Sequence, residues 1–294
     1  MKKIKLKFYE FFLKKKFIKD SKKISIFIKN LISKKNLFNI LDIGAGARYL
    51  PSILNFDGSS KIYMVDPNKN LNVSVKNLSK NLKFKKNIVQ IKTAIYTKNT
   101  SLNYYIAPIQ TSSSFIKYDK KLKPIKKKVY SFSFIKKKYN IGKIDILKID
   151  IEGLEFNILK SVLNYNLPLI IEIETNFKSS AFGDTFSSVH NYLSKKYFLK
   201  TAFPVFEKID SKFNGHLNSF RIGSYASPSY RNPIMQMDCY YILRKKSYDI
   251  NDMLLLFGYG FIDEAKNIFE NIKEKLNEKE IGQTKKLFKI LYEK

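Results

Sequence analysis

Two short segments of this chain combine side chains and backbone shapes that chemistry can use. The first is Leu41-Asp42-Ile43-Gly44-Ala45-Gly46-Ala47-Arg48, an apolar run closed by an acid and a Gly-x-Gly turn. Glycine has no Cβ, so Gly44 and Gly46 let the backbone bend and let a ligand approach closely. The second is Ile146-Leu147-Lys148-Ile149-Asp150-Ile151-Glu152-Gly153-Leu154-Glu155. Lys148, Asp150 and Glu152 alternate, which on a strand places them on one face. Two acids and a lysine in a partly desolvated cleft can divide their roles. One carboxylate can take a hydroxyl proton, or the pair can hold a divalent cation that orients oxygen ligands. The same acids can instead bond backbone amides and cap the following helix. Glu172 and Glu174 repeat the alternation and stand second. His216, in an irregular stretch, is a weaker base candidate; His190, in a helical stretch, reads as structural. Two histidines and one cysteine give no ligand set for a dedicated zinc site.

A Gly-x-Gly turn alone serves a dinucleotide, another nucleoside cofactor or only a tight bend. Three features narrow it. Asp42 precedes the glycines, and the third glycine of a pyrophosphate-binding loop is missing near residue 49. Asp66 then ends the next apolar run, where a carboxylate can accept two hydrogen bonds from ribose hydroxyls. This combination fits S-adenosylmethionine better than a nicotinamide cofactor. A methyl donor without a pyrophosphate needs no third close-approach glycine. The donor contacts are then Asp42, Gly44, Ala45, Gly46 and Asp66.

Strands and helices must alternate to position these groups. Apolar runs over 38–43, 61–66, 87–95, 143–151 and 168–174 predict strands, with a late strand at 235–243 and an extended segment at 101–107. Helical patterns fall around 48–56, 69–83, 154–163 and 185–196. The alternation predicts an α/β fold with a doubly wound, mostly parallel sheet and helical N- and C-terminal appendages. Residues 1–37 form a basic amphipathic arm, 38–245 the central domain and 246–294 a C-terminal helical appendage. In the arm, Asp20 or Ser21 can cap a helix bearing Ile24, Phe27, Ile28, Leu31 and Ile32. That helix packs on the core, or lies against an anionic membrane surface as a peripheral contact. Residues 205–233, rich in Ser, Asn, Gly and Pro, read as irregular, where a substrate-covering loop fits. The C-terminal segment reads as two helices, one capped by Asp263.

The net charge is +30, from 55 basic and 25 acidic residues. Only Arg48, Arg221, Arg231 and Arg244 are arginines, and the lysine excess accompanies heavy use of other residues with A/T-rich codons. Nucleic-acid readers favour the bidentate guanidinium, so this composition disfavours a nucleic-acid partner. The single cysteine, Cys239, cannot form an internal disulfide, and no apolar run reaches the length of a membrane span or a signal-peptide core. These features predict a cytoplasmic protein and leave its oligomeric state open.

The Lys148–Glu155 segment, with the Gly-rich turn, resembles the FkbM methyltransferases, whose motif runs close to Lys-Ile-Asp-Val-Glu-Gly-x-Glu before an apolar pair, here Ile158-Leu159. Further points of similarity are Val65-Asp66-Pro67, Thr93-Ala94-Ile95, Ser112-Ser113-Ser114 and Ile170–Glu174, so the resemblance covers roughly 38 to 245. It implies a class I, Rossmann-like methyltransferase fold, and adds Pro67 and Ala94 to the donor contacts. It also implies O-methyl transfer to a hydroxyl of a glycan or related small molecule, with Lys148, Asp150 and Glu152 as the catalytic set. Two departures stand out. Arg48 replaces a small residue, and Ser133-Phe134-Ile135 lacks the family's acid. An RNA methyltransferase and a non-catalytic donor-binding scaffold are the competing readings. The first lacks an Asn/Asp-Pro-Pro-aromatic motif and an evident RNA-binding module.

Overall fold

The computed structural model describes residues 18–32, 37–46, 51–106, 113–117, 121–151, 153–176, 185–206 and 234–292. Its main sheet has seven strands: β1 (Phe38–Ile43), β2 (Ser60–Val65), β3 (Ile88–Ile91), β7 (Ile146–Ile149), β8 (Ile170–Asn176), β9 (Tyr197–Phe206) and β10 (Ile234–Leu243). They lie in the order β3-β2-β1-β7-β8-β10-β9. Strands β3, β2, β1, β7 and β8 are parallel, and β10 runs antiparallel between β8 and β9. The order reverses between β1 and β7, and the crevice at such a switch point is where open α/β sheets bind ligands. This is the doubly wound arrangement expected of a class I methyltransferase fold.

Strands buried on both faces need apolar residues at nearly every position. Accordingly, all four residues of β7 and all seven of β8 are buried. Ile40, Met64, Ile146 and Ile170 point to one core, Leu41, Val65, Leu147 and Ile171 to the other. The second core is covered by α3 (Phe132–Lys138), α4 (Glu155–Leu163) and α5 (Phe186–Leu193). The first is covered by α2 (Leu71–Asn81), α6 (Ile250–Tyr259), α7 (Ile262–Ile272), α8 (Glu278–Tyr292) and a helix, α1, over 18–31. Ile24 and Ile28 of α1, and Ile32 just past its end, are buried in it with Leu254 and Phe257 of α6. Packing on the core, rather than an outward apolar face, is therefore what these residues do. Among the described residues no helix is long and apolar enough to cross a membrane.

Several elements differ from the sequence pattern. The apolar run 87–95 is two strands, because Thr93 N–H donates to the Ile91 carbonyl at 3.0 Å and bends the chain. β4 (Ala94–Tyr96) then leaves the main sheet for a second one with β5 (Thr100–Tyr105) and β6 (Pro124–Ser131), ordered β4-β6-β5. The helix expected at 48–56 is a short 3-10 turn over Pro51–Phe56, with 47–50 outside the described residues. β9 occupies a stretch with no clear strand pattern, and 207–233 lies outside the described residues. Asp20 and Ser21 sit within α1 rather than at its cap. The C-terminal segment holds three helices, and Asp263 lies in the first turn of α7 with no capping bond from the Phe261 N-cap.

Helix α6 is firmly placed. Asp249 and Asp252 form a reciprocal capping box at its start, and Gly260 ends it in the left-handed region at φ +107. Asn55 Nδ2 donates to the Gly258 carbonyl at 2.6 Å. A Cβ on Gly258 would fall 2.5 Å from Phe56 Cζ and 2.9 Å from Ile28 Cδ1. Gly258→Ala is therefore expected to overpack this contact and cost about 1–3 kcal/mol. A urea midpoint equal to that of the parent would show that Phe56 and Ile28 yield freely.

Candidate active site

The Gly-rich turn closes at the carboxyl ends of β1 and β2. Gly44 and Ala45 donate to the Val65 carbonyl at 2.9 and 3.3 Å. Gly44 takes φ +91, and a Cβ there would fall on the carbonyl of Asp150. The glycine is thus required by the neighbouring strand before any ligand is considered. A Cβ on Gly46 would fall 2.6 Å from Asp66 Oδ2, so the second glycine makes room for that carboxylate. Asp66 accepts from Gly46 N–H at 2.9 Å and from Asn68 N–H at 2.6 Å. These two bonds hold both oxygens at the end of β2, and each keeps a lone pair. Pro67 follows, and its carbonyl accepts from Lys127 Nζ at 3.3 Å. Ala94 is buried at the start of β4, paired with Val129, on the second sheet.

Beneath the turn lies a buried row of charge. The register pairs Asp42 on β1 with Lys148 on β7, and Lys148 with Glu172 on β8. Lys148 Nζ lies 3.0 Å from Asp150 Oδ2 and 3.7 Å from Asp42 Oδ1. The first is a charge-assisted hydrogen bond; the second is an ion-pair contact too long to be one. Asp42 is fully buried, and neither of its oxygens has a hydrogen-bond partner among the described residues. Glu172 accepts from the hydroxyl of Tyr259.

Lys148 and Asp150 stand side by side as their alternation predicts, although β7 ends at Ile149. Asp150 N–H still donates to the Ile43 carbonyl at 3.0 Å, which carries the ladder one residue further. Glu152, Arg48 and His216 lie outside the described residues. Glu155 folds back to accept from Gly153 N–H at 2.7 Å, where φ is +115. Glu172 and Glu174 are both buried on β8. His190 Nδ1 meets the Tyr241 hydroxyl at 3.2 Å and its ring stacks on Phe186, away from the turn. Among the described residues no three His, Cys, Asp or Glu side chains converge as a metal site.

Two residues at the site carry no motif. Tyr104 of β5 is buried and bonded to Ser113 and Asn68, and burial, then the charge of Asp66, pushes its hydroxyl up to about 12. Its only trace in the sequence is the extended pattern at 101–107. Tyr259 lies on α6, far along the chain, and nothing local marks it.

Burial dominates the ionisation of the row. It raises Asp42 to about 6 against the pull of Lys148, and Asp66 to about 6 against the bonds from Asn68 and Gly46. It raises Glu172 to about 7, opposed by Lys148 and Tyr259. Burial opposes the charge on Lys148, but Asp150 and Asp42 hold its affinity for the proton well above the ordinary lysine range.

The family described as "Methyltransferase FkbM domain" matches residues 42–199, more than half of the chain. No curated protein matches the chain. Two solved structures are similar over 70% of it. Methyltransferase FkbM from Methylobacillus flagellatus KT shows 15% identity and a TM-score of 0.38. Precorrin-6y C5,15-methyltransferase from Geobacter metallireducens GS-15 shows 11% identity and a TM-score of 0.34. The match covers 43% of the first of these chains and 80% of the second, so this chain spans less than half the length of the first.

The raised carboxylates fix a sign for stability. An acid whose folded pKa exceeds its unfolded value stabilises the fold at low pH, and that contribution is lost as pH rises through the folded value. For Asp42, Asp66 and Glu172 the loss falls between about 4 and about 7. The ligand-free protein is expected to melt at a higher temperature at pH 5.5 than at pH 8. A melting temperature at pH 8 equal to or above that at pH 5.5 would contradict the burial of these charges.

Proposed function

This chain belongs to the FkbM methyltransferase family, and on that premise we propose that it is an S-adenosylmethionine-dependent O-methyltransferase acting on a hydroxyl of a glycan or related small molecule. The observation that carries the reading is the seating of Asp66. Its carboxylate is held by Gly46 and Asn68 N–H groups at the rim of the β1–β7 switch point, with lone pairs left for ribose hydroxyls. The second glycine fits the group, because a side chain at Gly46 would crowd the Asp66 carboxylate oxygens that would receive the ribose.

The donor supplies an activated methyl group, and the protein's task is chiefly to hold the acceptor oxygen in line with it. In this reading Asp66 binds the ribose, while Gly44, Ala45, Gly46, Pro67 and Ala94 shape the donor's bed. Asp150 is the proton acceptor. Its side chain is about one-third exposed, where an acceptor hydroxyl can reach it. Lys148 holds Asp150 in place through the 3.0 Å contact and stabilises its charged form. Asp42 neutralises Lys148 from below and meets no solvent. Glu152 shares the acceptor side in this scheme.

Asp66→Ala is expected to weaken S-adenosylmethionine binding at least about tenfold in a calorimetric titration, since hydrogen bonds to a charged group contribute about 1.5–3 kcal/mol each. Asp150→Ala should bind the donor as the parent does and lose turnover in a donor-consumption screen across glycans. A parent protein that binds no S-adenosylmethionine would sink the reading, and an Asp66→Ala variant of unchanged affinity would misplace the ribose.

A further inference from the structure

We infer that Tyr259, on α6 and outside the matched residues 42–199, is a positioning residue for the donor site: through Glu172 and Lys148 it sets the charge beneath the Gly44–Gly46 turn. The inference rests on the donor-binding reading above.

Asp42, Lys148 and Glu172 occupy adjacent register positions on three neighbouring strands, about 4.8 Å apart at each step. Only one of the three is a cation, and it also serves Asp150. Asp42 and Glu172 therefore compete for Lys148. Asp42 has no hydrogen bond among the described residues to help it, whereas Glu172 has the Tyr259 hydroxyl. Asp238 and Tyr240 of β10 also face Glu172, the first as a like charge and the second as its register partner. Tyr259 is thus the neutral donor that lets Glu172 keep its charge among other carboxylates.

The position of Tyr259 is tightly fixed. It lies at the end of α6, between Gly258 packed on Phe56 and Gly260 in the left-handed region. A phenylalanine fills nearly the same volume, so the hydroxyl alone is at issue. Without it, Glu172 holds its proton to higher pH and the row loses negative charge near neutrality. The methyl donor carries positive charge on its sulfonium and its ammonium, so less negative charge below the turn weakens its binding. A helix outside the matched domain therefore tunes the affinity of the donor site inside it.

The test is calorimetric titration of S-adenosylmethionine into the full chain, the parent against Tyr259→Phe, at pH 7.0 and 8.5. The expected result is at least threefold weaker binding by the variant at pH 7.0, with affinity within twofold of the parent at pH 8.5. Glu172→Gln, which cannot ionise, should bind weakly at both values, and adding Tyr259→Phe to it should cost nothing more. Equal weakening at both pH values marks a packing role and overturns the inference. So does no weakening at either, or a further loss in the double variant. Carbon-13 titration of the Glu172 carboxyl gives a readout independent of the donor. Its midpoint should rise by at least half a pH unit in Tyr259→Phe, and an unchanged midpoint overturns the inference. If the parent binds no donor, the methyltransferase reading fails and this titration alone decides the coupling.

Discussion

The buried Lys148 ammonium is the constraint around which the site is arranged. A lysine almost closed to water must be paired, because an isolated buried charge costs several kcal/mol even after relaxation. Here Asp150 and Asp42 pair with it from the chain's two chemical segments. That pairing ties β1 to β7 at the point where the strand order reverses. The crevice opened by the topology is therefore also the place where charge is held in low dielectric.

The rest of the fold serves that arrangement. Two apolar cores clamp the strands from both faces, and the row Asp42–Lys148–Glu172 crosses three strands between them as a polar interruption. The turn above it has almost no freedom. Gly44 is pressed against Asp150 and Gly46 against Asp66, so turn, strand end and carboxylate fix one another. The buried charge of Asp42 lies directly below this turn, where the neighbouring strands hold it.

The C-terminal helices show how an appendage becomes part of a site. Their apolar faces join the same core as α1 and the sheet, which fixes α6 by ordinary burial. Once α6 is fixed, its last turn places one hydroxyl against Glu172. The second sheet does something similar on the other side, bringing Tyr104 into the field of Asp66 and Lys127 to the Pro67 carbonyl.

The sequence by itself determined the elements whose patterns are local. β1 was legible over Phe38–Ile43 because most of its positions are apolar and it closes on a Gly-rich turn, and α4 and α5 because their apolar residues recur at helical spacing. The two motifs were legible because glycines and alternating acids are rare inside such runs. The split of 87–95 into two sheets was not legible, since one 3.0 Å backbone bond at Thr93 decides it and apolar pattern does not report backbone bonds. Nor was the short α3, which depends on a single Ser131 cap. The tertiary structure alone decided that Asp42, Lys148, Glu172 and Tyr259 form one connected set. Strand register brings Lys148 to Asp42, and helix docking brings Tyr259 to Glu172, 87 residues away along the chain, and no local spacing encodes contacts of that kind.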